Sequence, residues 1–227
     1  NPQADIWWGG TGDPHLQAAE EGLTAEYKSP AFADLRDWAQ KQAERAKYRT
    51  VGIYLGALGF GYNDTDLKQR KLKAPACWSD LIKPEFKGEI EMADPNSSGT
   101  AWTMLATMVQ LMGEDKAFVY FKQLNKNMAE YTKAGAAPAL AVGKGETLVG
   151  IAFQHDVINA AKQNPAVKVV SPCEGTGYEI GSMSIVAGAK HPDEAKKFYE
   201  WALTVDAQKL AAPNGSYQIP SNKNTPV

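Results

Sequence analysis

Short apolar runs alternate with amphipathic stretches along almost the whole chain, and this alternation limits the folds open to it. Strand-like runs lie at Val51–Phe60, Leu148–Phe153 and Ile180–Ala187. Helix-like stretches lie between them, as at Ala31–Ala46, where apolar residues recur at helical spacing. Strands that alternate with helices are typical of an α/β fold. The sequence therefore predicts an α/β fold with a largely parallel sheet.

Length and charge narrow the class of protein further. A chain of 227 residues can form one large domain or two small ones. The net charge of −2 gives no reason to expect a nucleic acid or an anionic membrane as partner. The chain opens with Asn1-Pro2-Gln3, without the basic start and apolar core of a signal peptide. Either a leader was removed or the chain begins inside a longer gene product.

The two cysteines, Cys77 and Cys173, leave two readings open. Their spacing fits no zinc or redox motif. In a reducing compartment they would be small buried apolar residues. In an oxidising compartment they could form one disulfide that closes a long loop, and each lies beside a turn marked by proline.

The segment from Glu89 to Trp102 reads as a strand, a turn and a helix. The strand is predicted at Glu89–Ala93, and the helix at about Thr100–Met112. The turn holds three hydroxyl residues and a glycine: Ser97, Ser98, Gly99 and Thr100. Unpaired N–H groups at a helix N-terminus can hold an anion, and the hydroxyls can add hydrogen bonds. The alternative is a simple N-cap, for which serine is among the best residues.

A second glycine-rich turn lies near the start of the chain. Asp5–Trp8 is predicted to be a short buried strand, and His15–Leu23 a helix. The turn between them, Gly9–Asp13, offers the Thr11 hydroxyl to a ligand. The alternative is a tight turn that needs positive φ and has no ligand role. We expect His15 to be a surface residue rather than a ligand.

Three polar residues follow predicted strand ends or a glycine-rich loop: His155, Asp156 and Glu179. They could form an acid–base set for catalysis, ligate a metal, or form hydrogen bonds with the hydroxyl groups of a sugar. No Gly-x-Ser-x-Gly motif accompanies them to supply a nucleophile. The structural alternative is that Asp156 caps a helix, His155 packs in a turn and Glu179 is a surface acid.

In open α/β sheets, ligands bind beyond the carboxyl ends of the strands. This rule predicts that four loops lie in one region of the molecule. They are Gly9–Asp13, Asn96–Thr100, Gln154–Asp156 and Cys173–Glu179.

Four segments together resemble a known family. They are Asp5–Asp13, Cys77–Ile90, Asp94–Trp102 and Ala195–Leu203. Their order and spacing are similar to those of periplasmic solute-binding proteins of ABC importers, in the branch that contains ferric-ion, phosphonate and sugar-phosphate binders. The resemblance implies a type II, two-lobed periplasmic binding protein fold with the ligand between the lobes. Lobe 1 would comprise residues 1–56 and 178–227, and lobe 2 residues 57–177. It also implies a periplasmic location, an ABC permease in the inner membrane as partner, and no catalytic residues, metal or cofactor.

Within this branch, ferric binders carry two adjacent tyrosines after the strand that corresponds to Leu148–Phe153. This chain has Gln154, His155 and Asp156 there instead, which argues against ferric iron. His155, Asp156 and Glu179 are similar to the residues that contact sugar hydroxyls in the sugar-phosphate binders. The resemblance assigns phosphate to Ser97, Ser98, Gly99 and Thr100, with Thr11 as a weaker addition. A hexose phosphate is therefore the expected ligand. Ferric iron and phosphonate remain alternatives, and an enzyme of the same architecture is less favoured.

Members of this family begin with two strands and two helices that have no counterpart before Asp5. The resemblance therefore implies that lobe 1 is incomplete. An incomplete lobe would expose a sheet edge and apolar surface. We expect a second chain, as in a dimer, or a local rearrangement to cover that edge, and ligand affinity to be weakened or lost.

Overall fold

The computed structural model describes residues 2–227 and has eight strands and nine α-helices within them. The strands are β1 (Ile6–Trp8), β2 (Val51–Asn63), β3 (Ile90–Ala93), β4 (Met128–Thr132), β5 (Val149–Phe153), β6 (Val167–Val170), β7 (Tyr178–Ile185) and β8 (Ile219–Pro220). The helices are α1 (Gly12–Glu20), α2 (Asp37–Arg45), α3 (Asp64–Gln69), α4 (Gly99–Met112), α5 (Glu114–Leu124), α6 (Ala137–Lys144), α7 (Gln154–Gln163), α8 (Pro192–Ala202) and α9 (Val205–Gln208). The predicted α/β class is confirmed. No helix in this described range is long and apolar enough to cross a bilayer.

The chain forms two compact units. The first runs from the start of the described residues to Gly56 and resumes from Glu179 to Val227, and the second is Ala57–Tyr178. The strand β2 carries the chain from the first unit into the second, and the return falls next to the start of β7. The division expected from the sequence puts that return one residue earlier, between residues 177 and 178.

The sheets are mixed, so the prediction of a largely parallel sheet is wrong. In the second unit the strand order is β6-β2-β5-β3-β4, and β3 runs parallel to both of its neighbours. The strand β2 runs antiparallel to β5 and to β6. In the first unit β1 is antiparallel to β7, and β8 is antiparallel to β2. Alternation of strands and helices does not by itself set strand direction, since helices also separate β2 from β5, and that pair is antiparallel.

The predicted long helix Ala31–Ala46 is interrupted. A 3₁₀ turn spans Pro30–Asp34, Leu35 is extended, and α2 begins at Asp37. Leu35 is only 1 % exposed, so extending the chain there buries its side chain in the core of the first unit.

The sequence analysis did not predict the strand β4. Its residues, Met-Ala-Glu-Tyr-Thr, lie at the edge of the sheet, are mostly exposed and form no apolar run.

Two expectations about the start of the chain are also wrong. The strand β1 is not buried, because it lies at the end of its sheet, and Trp7 and Trp8 are 37 % and 49 % exposed. His15 is fully buried rather than on the surface. Its Nε2 lies 3.0 Å from the Gly9 carbonyl and its Nδ1 lies 2.7 Å from the Ser184 hydroxyl. Since a carbonyl can only accept, Nε2 carries a proton and donates. Burial lowers the pKa of His15, so the ring is neutral at neutral pH and Nδ1 accepts from the Ser184 hydroxyl.

The structure decides between the two readings of the cysteines. Cys77 and Cys173 form a disulfide within the second unit. Backbone hydrogen bonding supports the junction, because the Cys173 N–H donates to the Ala76 carbonyl at 3.0 Å. The Glu174 carboxylate accepts from the Trp78 and Ser79 N–H groups at 2.8 and 2.9 Å. The disulfide therefore joins two segments that also hold each other by hydrogen bonds.

Candidate functional site

The N-terminus of α4 is the first part of the candidate site. The helix begins at Gly99, directly after Ser98, and its first turn contains no acidic residue. The first intrahelical bond runs from the Trp102 N–H to the Ser98 carbonyl at 3.1 Å. The N–H groups that precede Trp102 in the helix therefore point along its axis toward the turn. A helix N-terminus of this kind favours an anion.

The two serines of the turn have different surroundings. Ser97 is exposed, and its hydroxyl lies 3.0 Å from the Lys133 carbonyl and 3.3 Å from the Asp94 carbonyl. Ser98 is buried, with 9 % exposure, and its side chain does not cap α4. The hydroxyl of Ser97 is thus directed to the backbone. Because the Ser98 side chain makes no capping bond, the simple N-cap interpretation does not describe Ser98.

Gly135 forms a wall beside the hydroxyls of Ser98 and Thr100, and the sequence analysis did not identify it. A Cβ built on Gly135 would lie 2.2 Å from Thr100 Oγ1 and 3.1 Å from Ser98 Oγ. Any larger residue would displace the hydroxyl groups, so this position requires glycine for reasons of space. The sequence does contain a signal for this position. Small residues at Gly135–Ala137 precede a proline and lead into α6, as Gly99 leads into α4.

His155 and Asp156 form the second part of the candidate site. The helix α7 begins at Gln154, immediately after β5, so both residues lie in its first turn. The Gln154 side chain fixes this start, because its Nε2 donates to the Leu58 carbonyl at 3.0 Å. The alternative that Asp156 caps the helix is wrong, since the N-cap residue is Phe153. The His155 ring stacks on the Phe153 ring at a centroid distance of 5.4 Å.

Burial sets the protonation states of this pair. Desolvation lowers the pKa of His155 to about 4 and raises the pKa of Asp156 to about 6. At neutral pH the imidazole is therefore neutral and the carboxylate ionised. The 3.7 Å distance from His155 Nε2 to Asp156 Oδ2 is thus not an ion pair. His155 Nδ1 is buried and has no hydrogen-bond partner among the described residues.

The topology of the second unit brings these two parts to one edge of its sheet. The turn at Ser98 follows β3, and His155 follows β5. Because β3 and β5 are adjacent and parallel, their carboxyl ends meet at the same edge. Gly135 follows β4, which is the other parallel neighbour of β3. Three of the loops at this edge therefore combine hydroxyls, a neutral imidazole and a carboxylate.

The first unit holds the remaining predicted residues. Thr11 is the N-cap residue of α1 but makes no capping bond with its side chain. Gly9 and Gly10 have φ of +80° and +81°, so this turn does require glycine. The Gly10 N–H bonds to the Tyr54 hydroxyl, and burial raises the pKa of Tyr54, with a further contribution from the negative charge of Glu179. Tyr54 thus connects the Thr11 turn with the start of β7, where Glu179 lies.

The described residues contain one group whose ligand types suit a metal ion. It consists of Cys77, Cys173 and Glu174, whose candidate ligand atoms lie within 4.8 Å of one another. Both sulfur atoms are bonded in the disulfide, and both carboxylate oxygens of Glu174 accept backbone hydrogen bonds. The chemistry of these donors therefore does not fit a metal in the oxidised protein.

Comparison with known proteins identifies the family. Residues 1–227 match the model of the bacterial extracellular solute-binding proteins, so the chain belongs to this family. The structure superposes on that of the periplasmic binding protein AfuA from Actinobacillus pleuropneumoniae, described with exogenous fructose 6-phosphate bound. The TM-score is 0.93 at 46 % identity, over 100 % of this chain and 72 % of that one. The match confirms the type II periplasmic binding protein fold that the resemblance implies.

Curated relatives extend the comparison. An uncharacterized protein of Haemophilus influenzae is 45 % identical over 98 % of this chain and 65 % of its own length. A putative 2-aminoethylphosphonate-binding periplasmic protein of Salmonella typhi is 31 % identical over 92 % of this chain and 60 % of its own length. The chain thus spans less than two thirds of the length of these relatives.

Proposed function

We propose that this chain is the solute-binding component of an ABC importer, located in the periplasm, and that its ligand is a phosphorylated sugar. The second unit would hold the phosphate at the α4 N-terminus and the sugar hydroxyls at His155 and Asp156. The observation that carries the proposal is the placement of both groups at the carboxyl ends of two adjacent parallel strands. Neighbouring strands lie about 5 Å apart, which suits the two ends of one small molecule.

The donors at the α4 N-terminus suit a phosphate group. The backbone N–H groups, Ser98 and Thr100 offer neutral donors, and the first turns of α4 and α6 contain no acidic residue to repel an anion. Gly135 leaves room beside both hydroxyls. A chain with a net charge of only −2 can still bind a dianion here, because local dipoles rather than net charge provide the attraction.

The pair at the start of α7 suits hydroxyl groups. Neutral His155 has one ring nitrogen that donates and one that accepts, and an ionised Asp156 only accepts. A sugar hydroxyl can donate to one of these residues and accept from the other. Such a bond would satisfy His155 Nδ1, whose burial without a partner is otherwise costly. From the first unit we propose Thr11 and Glu179 as further ligand contacts.

A phosphonate is the second candidate ligand, since a relative at 31 % identity carries the name of a 2-aminoethylphosphonate binder. A phosphonate and a phosphate ester share the anion but differ in the hydroxyl groups next to it. Ferric iron has weaker support. The ferric-binding protein of Campylobacter jejuni is similar at 21 % identity, which concerns the fold alone, and the tyrosine pair is absent from Phe153–Asp156. We propose no catalytic role, in keeping with relatives that are named as binding proteins.

A thermal-shift panel tests this function. It compares fructose 6-phosphate, fructose, inorganic phosphate, 2-aminoethylphosphonate and ferric citrate, because a ligand that binds the folded state raises the melting temperature. We expect the largest shift with fructose 6-phosphate, and expect Ser98→Ala to reduce it more than the neighbouring Ser97→Ala. The reason is that the Ser97 hydroxyl is directed to backbone carbonyls. A shift with ferric citrate and none with any phosphorus compound would refute the proposal.

A further inference from the structure

A buried carbonyl of β2 lies where the hydrogen-bonded ladder between β2 and β6 ends. Phe60 and Val170 form the last pair of that antiparallel register. One step further the register sets Leu58 opposite Pro172, which has no N–H to donate. The Leu58 N–H donates instead to the Gly177 carbonyl at 2.9 Å. Because the N–H and C=O groups of one strand residue point the same way, the Leu58 carbonyl also faces this side and needs a donor from outside the ladder.

Two side chains of the second unit donate to this carbonyl. The Gln154 Nε2 lies 3.0 Å from the Leu58 oxygen, and the Thr176 hydroxyl lies 2.9 Å from it. A carbonyl oxygen has two lone pairs, so it can accept both bonds. The donors come from different segments, because Gln154 is the first residue of α7 and Thr176 precedes β7. The Leu58 carbonyl thus joins the start of α7 and the segment before β7 to β2.

The Gln154 side chain is held at both of its polar atoms. Because the Leu58 carbonyl can only accept, the amide nitrogen must face it, and the amide oxygen faces the other way. There the oxygen accepts from the Ser171 hydroxyl at 3.0 Å. Gly59 leaves room for this side chain, since a Cβ built on Gly59 would lie 2.9 Å from Gln154 Cγ. An amide that is bonded at both ends fixes the helical residue that carries it.

The next two residues of α7 are His155 and Asp156, which form the sugar part of the candidate site. They share the first turn of the helix with Gln154. The His155 ring stacks on Phe153, and its Nδ1 has no hydrogen-bond partner among the described residues. The directions of the two side chains therefore depend on how the backbone of this turn is held.

We propose that Gln154 is a positioning residue for the sugar part of the site, an inference that rests on the proposed function. Its bonds to Leu58 and Ser171 set the rotation of the first turn of α7, and with it the directions of the His155 and Asp156 side chains. Residues that support a binding group in this way determine how precisely that group meets its ligand. Thr176 donates to the same carbonyl from a different segment, so it stabilises the fold without orienting this pair.

Two matched variants test the proposal. Gln154→Met and Thr176→Val each remove one donor to the Leu58 carbonyl and nearly keep the size of the side chain, so urea denaturation should show a similar loss of stability in both. Titration calorimetry then gives the Kd of two ligands. We expect Gln154→Met to raise the Kd of fructose 6-phosphate at least about tenfold and that of inorganic phosphate less than about twofold, because the phosphate part lies at α4. Thr176→Val should leave both Kd values unchanged.

An NMR measurement on the ligand-free protein makes the test independent of the ligand. The chain has three histidines, so the ring signal of His155 can be assigned by its loss in His155→Ala. We expect Gln154→Met to shift this signal and Thr176→Val to leave it in place. If Gln154→Met does not fold, Ser171→Ala replaces it, because it removes only the second bond of the amide at an exposed residue.

A His155 signal that stays in place in the folded variant, or that moves equally in Thr176→Val, would overturn the proposal. So would an unchanged Kd for fructose 6-phosphate in that variant. A wild-type protein that does not bind fructose 6-phosphate would instead refute the proposed function, and the His155 signal would still decide whether Gln154 positions the pair.

Discussion

Replacing Gly135 by alanine should damage the candidate phosphate site without removing any group that donates to the ligand. The new methyl group would lie 2.2 Å from Thr100 Oγ1 and 2.8 Å from Thr100 Cβ. Ordinary carbon contacts need about 3.5 Å or more. The Thr100 side chain can rotate its hydroxyl away, but its Cβ is fixed to the backbone of α4. Relief therefore requires a movement of about 1 Å between the 133–137 segment and the first turn of α4.

The size of the effect follows from this movement. Overpacking of a well-packed site costs about 1–3 kcal/mol of the free energy of unfolding. A hydrogen bond to a charged group contributes about 1.5–3 kcal/mol, and a displacement of 1 Å takes such a bond out of range. Loss of one hydrogen bond to a phosphate oxygen therefore corresponds to about a tenfold to hundredfold rise in Kd. We therefore expect Gly135→Ala to weaken fructose 6-phosphate binding by at least about tenfold.

Gly143→Ala provides the control, because it adds the same methyl group to the other end of α6. The nearest atom there is Ala160 Cβ at 3.3 Å, which a shift of a few tenths of an ångström relieves. Titration calorimetry gives the Kd of each variant, and urea denaturation gives its free energy of unfolding. Gly143→Ala should bind as the wild type does. If Gly135→Ala binds fructose 6-phosphate with wild-type affinity, the assignment of this wall to the phosphate site is wrong.

Three further predictions concern other parts of the molecule. Burial raises the pKa of Asp156 to about 6. Affinity for a sugar hydroxyl that donates to this carboxylate should therefore fall as the pH drops below about 6, by up to about tenfold per pH unit. Calorimetry across that range should show this fall in the wild type and not in Asp156→Asn. Reduction of the disulfide, which spans a sequence separation of 96, should lower the free energy of unfolding by about 3–5 kcal/mol in urea, and no change would argue against its stabilising role. His15→Ala should cost about 2–5 kcal/mol, because it leaves the Gly9 carbonyl and the Ser184 hydroxyl buried without their partner, whereas a cost below about 0.5 kcal/mol would indicate a surface residue.

Local sequence patterns predicted the helix that carries the candidate phosphate site and the strands next to it. The run Ile90–Ala93 is apolar at three of its four positions, and Gly99 and Thr100 open a long helix, so both elements lie within a residue of their predicted limits. The directions of the strands could not be read this way. Whether β2 runs parallel or antiparallel to β5 depends on long-range pairing, which residue periodicity does not encode.

The residues that sequence reasoning missed or misplaced are those whose roles depend on distant partners. Gly135 is significant only because Thr100 lies against it, 35 positions earlier in the chain. His15 is buried only because Ser184 and Trp7 enclose its ring. The local pattern around each residue fits a loop or a surface helix equally well. Tertiary contact decided both outcomes.

Titration calorimetry with fructose 6-phosphate, fructose and inorganic phosphate on the wild type, Ser98→Ala and His155→Ala tests the central proposal most directly. The account predicts that fructose 6-phosphate binds most tightly. It also predicts that Ser98→Ala weakens fructose 6-phosphate and inorganic phosphate alike, while His155→Ala weakens fructose 6-phosphate and leaves inorganic phosphate unchanged. Equal losses for inorganic phosphate in both variants, or no binding of fructose 6-phosphate by the wild type, would contradict the division of the site into a phosphate part and a sugar part.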